Sequence, residues 1–218
     1  MTSYENSAMR WAEETRKAAR RGLWRRLTAA LGVSAQARRA DALAARREHG
    51  GRGEAVTAAL LAQLQGQGWA VRHDRRIPYG AQLDHVLVPP TGTAVVVLDT
   101  KTWHRGWPTV VRNGRVCCGT EDRHDQVVKV AGYAARVQQA LGLPGVVVWP
   151  LLVVHNSPVA GGELAVRVPG WDDFVYVLET SRLIPRLAGA LYGPADPVGA
   201  AAIVERVDRV LRPYGEGG

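Results

Sequence analysis

Cysteine is nearly absent from this chain: Cys117 and Cys118 are the only two, and they are adjacent. This excludes a disulfide framework and a CxxC pair, and it gives no sign of an oxidising compartment. Lysine is almost as scarce, since Lys17, Lys101 and Lys129 supply three of the 28 Lys plus Arg. No apolar run reaches the roughly 18 residues of a membrane span. The longest, Leu141 to Val154, is broken by Pro144 and Pro150. The stretch from Met1 to Met9 carries Glu5 and no apolar core, unlike a secretory signal. The expectation from these absences is a soluble, cytoplasmic protein.

What the chain does have is arginine. Its 28 cations face 20 Asp plus Glu, leaving a net charge of +8 and a pI near 10.1. A guanidinium is always charged and bonds two oxygens at once, so this surplus suits phosphate or another polyanion. The charge is unevenly placed: residues 1–52 hold twelve cations and five anions, whereas the other 166 residues hold sixteen and fifteen. The first segment lacks proline and is rich in Ala, Arg, Glu and Leu, which predicts helix, with Gly22, Gly32 and Gly50-Gly51 as ends. Trp11, Leu23, Trp24, Leu27 and Leu31 form an interrupted apolar stripe between arginines. The segment reads either as an amphipathic extension or as a nucleic-acid contact surface, with Arg38, Arg39, Arg46, Arg47 and Arg52 as candidate phosphate contacts.

A length of 218 residues, 46% hydrophobic, suits one domain with appendages. The expected division is a basic helical extension over 1–49 and an α/β domain over 50–218, with its core at about 50–155 and a C-terminal strand and helices over 170–213. From Gly51 the pattern predicts a helix at Glu54–Gln65 with Val56, Leu60, Leu61 and Leu64 inward. Strands at Trp69–Ile77, Gln82–Val88 and Thr93–Thr100 follow. The Pro78-Tyr79-Gly80 and Pro89-Pro90-Thr91-Gly92 turns between them suit antiparallel connections. A short strand at Arg115–Cys118, a helix from about Arg123 to Leu141 and an apolar strand at Val146–Val154 come next. The last suggests a strand covered on both faces. A strand at Phe174–Leu178 and helices near Ser181–Leu191 and Pro197–Leu211 complete the pattern.

The chemistry concentrates on the second and third strands. Alternation places Val95, Val97, Asp99 and Lys101 on one face, so a carboxylate and an ammonium stand together at the end of an apolar strand. That is costly unless each has a partner. Asp84, in Gln82-Leu83-Asp84-His85, is equally embedded in apolar residues, and pairing around the Pro89–Gly92 turn would bring it to Asp99. Two close carboxylates repel, and Mg²⁺ (or Mn²⁺) resolves the repulsion while also binding phosphate oxygens. A neighbouring lysine can hold an attacking water or neutralise charge growing on phosphorus. The competing reading is a pair of carboxylates bridged to Arg75 or Arg76. In a chain that writes 25 of 28 cations as arginine, a lysine at this one position is itself a signal.

These motifs resemble the PD-(D/E)xK nucleases, and in particular their nuclease-related domain (NERD) branch. The matching residues are Gly50-Gly51-Arg52-Gly53-Glu54 opening a helix, Gln82-Leu83-Asp84-His85 on a strand and Asp99-Thr100-Lys101 on the next. Trp103 and Gly106 follow, and Gln126 opens a helix. The resemblance implies a restriction-endonuclease-like α-β-β-β-α-β core with a mixed sheet between helices. It also implies Asp84, Asp99 and the Thr100 carbonyl as metal ligands, Lys101 as the catalytic lysine, Glu54 as the acid from the helix and Gln126 as a supporting polar group. Two departures stand out: Asp99 replaces the commoner Glu, and the stretch from Lys101 to Gly106 is one residue longer than the usual Lys-x-Trp-x-Gly.

The functional expectation is Mg²⁺-dependent hydrolysis of nucleic acid, DNA favoured over RNA; the alternative is a non-catalytic nucleic-acid-binding module on the same scaffold. Oligomeric state is open, a homodimer included. The six histidines show no HxxxH or HxH spacing, which argues against zinc, and His85 should face away from Asp84. Cys117 and Cys118 read as packing residues. Trp103 and Trp107 could stack on bases or form a lid on the domain.

Overall fold

The computed structural model describes residues 51–78, 80–190 and 193–214. Expectations for residues 1–50, including the basic helices and Arg38, Arg39, Arg46 and Arg47, lie outside the described residues. The described elements open with helix α1 over 51–65. Strands β1 (Ala70–Arg76), β2 (Gln82–Val88) and β3 (Ala94–Thr102) follow, then the short β4 (Thr109–Arg112), β5 (Arg115–Cys118) and β6 (Glu121–Asp122). Helix α2 (His124–Leu141) leads to β7 (Val147–His155), β8 (Glu163–Arg167) and β9 (Phe174–Glu179). The helices α3 (Leu183–Gly189) and α4 (Pro197–Val210) come last.

The expected α/β architecture with a mixed central sheet between helices is what forms. The main sheet has six strands in the order β1-β2-β3-β7-β9-β8. β1, β2 and β3 are antiparallel hairpin neighbours, whereas β3, β7 and β9 run parallel, with α2 as the crossover from β3 to β7. A parallel return needs such a crossover, because a tight turn can only reverse the chain.

Period-2 alternation on β3 explains the layers. Val95 and Val97 meet Ala134, Val137 and Leu141 of α2 and Ile203 and Val207 of α4. Val96 and Leu98, on the other face, meet Leu61 and Leu64 of α1 and Leu183 and Leu187 of α3. A strand buried on both sides has no room for a polar residue until its end, and β3 is buried from Ala94 through Thr100. Its polar residues Asp99, Thr100 and Lys101 therefore gather where the sheet opens.

Two expectations need correction. Val56 is 49% exposed; the inward stripe of α1 is Thr57, Leu61 and Leu64, spaced i, i+4, i+7, so a threonine takes the place assigned to valine. The region after β3 holds a separate three-stranded sheet, β4-β5-β6, where one strand was expected. Its signal was Asn113-Gly114: both have positive φ, 50° and 74°, as a two-residue type I′ hairpin turn requires. At the turn before β3, Gly92 has φ 63°, and a Cβ there would lie 2.7 Å from the Ala200 nitrogen of α4. That glycine lets the β2–β3 turn close against the last helix.

Candidate active site

The β2–β3 ladder pairs Leu87 with Val96, Val86 with Val97 and His85 with Leu98. The ladder ends there; continued by one step, the same register would set Asp84 opposite Asp99. Beyond the last paired residue, the amide of Thr100 would lack a strand partner, and Asp84 supplies one: its Oδ2 accepts from the Thr100 N–H at 2.7 Å. The carboxylate is thus clipped to the backbone of the neighbouring strand by a charge-assisted bond.

Asp99 is buried, at 6% exposure. An ionised carboxylate survives there only with a partner, and Lys101, two residues on along the same face, forms an ion pair with its Oδ2. The Lys101 Nζ also donates to the Thr100 carbonyl at 3.1 Å. Asp99 Oδ2 accepts no geometrically sound hydrogen bond, so its compensation is the charge of Lys101. Arg75 and Arg76, the alternative partners weighed from the sequence, are committed elsewhere: Arg75 to Asp208 at 3.2 Å, and Arg76 over the Tyr214 ring.

The opposite face of the same strand end carries a polar chain with one consistent direction. Thr100 Oγ1 donates to Thr57 Oγ1 at 3.2 Å, and Thr57 Oγ1 lies 2.8 Å from His155 Nε2. His155 Nδ1 lies 3.2 Å from Thr180 Oγ1, which donates to the Val154 carbonyl at 3.0 Å. The chain closes if Thr57 donates to Nε2 and Nδ1–H donates to Thr180, which requires a neutral imidazole. Burial pushes the His155 pKa down, in keeping with that form. Sequence reasoning missed this set, because a threonine on a helix and a histidine at a strand end carry no shared pattern.

Glu54 lies on α1, one turn before Thr57, and is partly buried; Arg52 is exposed on the same helix. Gln126 lies in the first turn of α2, and its Oε1 accepts from Trp103 Nε1 at 3.0 Å. Trp103 is only 5% exposed and belongs to an apolar cluster with Val127, Val130, Leu152 and Val154. It offers no face to a base, which corrects its reading as a nucleic-acid contact: the indole anchors the chain after β3, and Gln126 satisfies its one donor. His85 faces away from Asp84, as expected, and its Nδ1 meets His73 Nδ1 at 2.8 Å. Burial, then the charge of His73, lowers the His85 pKa to about 3. Cys118 is buried and Cys117 partly so, both with free thiols.

Residues 49–155 match the family model of the nuclease-related domain, NERD. The matched stretch holds Glu54, Asp84, Asp99, Lys101 and Gln126, and it ends at His155 on β7. The strands and helices of the described part of the matched stretch follow the α-β-β-β-α-β order, with the small β4-β5-β6 sheet inserted before α2. Neither a curated protein nor a solved structure matches the chain. The NERD match points to a nuclease-related function and to interaction with nucleic acid. No helix among the described residues is long and apolar enough to cross a membrane.

The donor set can be weighed for a metal on its own chemistry. Among the described residues, no group of three or more His, Cys, Asp or Glu side chains is placed to hold an ion. The candidate set is instead two carboxylates and a carbonyl, all hard oxygen donors, which is the sparing coordination Mg²⁺ accepts because it keeps several waters. The Asp99 carboxylate and the Thr100 carbonyl already attract a cation, the Lys101 ammonium. In donor chemistry, though not in number of carboxylates, the set is of the kind a hard divalent ion takes.

Proposed function

We propose that this chain is a metal-dependent nuclease that hydrolyses phosphodiester bonds, with DNA favoured over RNA. The observation that carries the reading is the convergence of Asp84 and Lys101 on the Thr100 peptide beside the buried Asp99. Asp84, Asp99 and the Thr100 carbonyl would hold Mg²⁺ or Mn²⁺, which supplies Lewis acidity and water activation when bound. Lys101 would orient the attacking water and offset charge growing on the phosphoryl oxygens. Glu54 would assist from α1. Gln126 would act at one remove, by holding Trp103 and so the chain that leaves β3. The net charge of +8 supports a polyanionic substrate.

Full-length protein with Mg²⁺ or Mn²⁺ is expected to degrade DNA in a gel or fluorescence assay, and EDTA to stop it, with restoration on adding excess metal. Cleavage that continues unchanged in EDTA would overturn the metal requirement.

A further inference from the structure

The loop that leaves the candidate site is built as a platform. Trp103 anchors its start, and the Trp103 N–H donates to the His155 carbonyl at 3.1 Å. At its far end the Trp107 carbonyl accepts from Ser157 Oγ at 2.5 Å, and the Gly119 N–H donates to the Pro108 carbonyl at 2.9 Å. Between these ties, the exposed His104 ring stacks on Trp107 with centroids 4.2 Å apart and planes 29° from parallel. Gly119 packs against the same indole, where a Cβ would lie 2.8 Å from Trp107 Cε3. The indole is thus held by the Gly119 backbone and stacked by the exposed imidazole.

The cations of this loop and of the β4-β5-β6 sheet are not equally committed. Arg115 is neutralised by Asp122 and Asp125, and Arg123 by Glu121. Arg105, next to His104, and Arg112, at the β4–β5 turn, are exposed and enter no ion pair among the described residues. A flat ring with a rigid backing and two uncommitted guanidiniums is the combination that grips a single strand: stacking for a base, charge for its phosphates.

We propose that His104, stacked on Trp107, is a base-stacking platform for an unpaired nucleotide, with Arg105 and Arg112 as its phosphate contacts. The proposal rests on the nuclease reading above and names its substrate class as single-stranded nucleic acid or an unpaired strand end. A base inside a duplex is already stacked on its neighbours and would have to leave the helix to reach this ring. His104 follows Lys101 by three residues, a span of at most roughly 10 Å of backbone. The stacking ring thus belongs to the loop that leaves the strand carrying Lys101.

The test is binding by the full chain in EDTA, so that affinity is read without cleavage, using a fluorescent single-stranded oligonucleotide and a blunt duplex of the same sequence. His104→Ala is expected to weaken single-strand binding about tenfold or more and to leave duplex binding and the melting temperature unchanged. His104→Phe, which keeps a stacking ring, should retain the affinity, and Gly119→Ala, which displaces the indole, should lose it. Arg105→Gln with Arg112→Gln should reduce the slope of log affinity against log salt by about 1.4 for a single strand. Unchanged single-strand affinity in His104→Ala, or an equal loss on duplex, would overturn the proposal. A wild type that binds neither probe also overturns the proposal, while cleavage by the wild type in metal leaves the nuclease reading standing; only absence of cleavage in metal sinks both.

Discussion

Lys101→Arg and Asp84→Asn are each expected to lower DNA cleavage by roughly 10² to 10³-fold, the usual cost of removing one positioned electrostatic group from a phosphoryl or acyl transfer site. The two substitutions are chosen because they spare the fold. Arginine keeps the positive charge that compensates the buried Asp99 carboxylate, but its planar fork stays protonated and reaches differently from a compact ammonium. Asparagine keeps an oxygen to accept the Thr100 N–H, which Asp84 now takes at 2.7 Å, while losing the negative charge that would hold a cation. Lys101→Ala would be less informative on its own. It leaves Asp99 buried without its counter-charge, a change that costs about 3–5 kcal/mol in comparable buried pairs. Initial rates on a DNA substrate, measured beside the thermal midpoint of each variant, separate the two effects. Wild-type rates in both conservative variants would remove Asp84 and Lys101 from the chemistry.

The second large effect concerns stability against acid. His85 has its pKa lowered to about 3, by burial first and by the charge of His73 second. His73 is lowered by burial, and so is His155. The folded protein therefore keeps these rings neutral while the unfolded chain takes up protons near pH 6.5. Stability is complete above that pH and falls as pH drops through the window from 6.5 towards 3. For His85 alone the loss at pH 5 is about 2 kcal/mol, and His73 and His155 add to it in the same direction. The geometry agrees with the sign. The His73–His85 contact of 2.8 Å joins two Nδ1 atoms, so one must be an unprotonated acceptor. His155 Nε2, 2.8 Å from Thr57 Oγ1, accepts only while neutral. Urea midpoints at pH 7 and pH 5 measure the effect, and His85→Leu should flatten the dependence. Equal midpoints at the two pH values would contradict the neutral assignment.

The sequence made the strand chemistry legible because alternation is a strong rule on a strand buried from both sides. Val95 and Val97 forced Asp99 and Lys101 onto one face, and the Pro89–Gly92 turn forced the antiparallel register that, continued by one step, would set Asp84 opposite. What alternation could not say is how each charge is satisfied. The clip from Asp84 to the Thr100 amide is a side chain substituting for a ladder bond that the strands do not continue to make, and only the register's end reveals it. Thr57, His155 and Thr180 come from three elements far apart in the chain, so no local pattern joins them. The tryptophans show the same limit: Trp103 and Trp107 sit four residues apart in one loop, yet one is an anchor with 5% exposure and the other a backing ring with 37%. Composition placed the basic surplus in residues 1–52, while the uncommitted Arg105 and Arg112 lie within the near-neutral remainder and could be recognised only once Arg115 and Arg123 were seen to be paired.

The metal site is tested most directly by calorimetric titration of Mn²⁺ into the full chain and into its Asp84→Asn and Asp99→Asn variants. A saturable heat is expected for the wild type, with loss of that heat or at least tenfold weaker binding in each variant. An absence of binding by the wild type, or identical isotherms in all three proteins, would contradict the metal site.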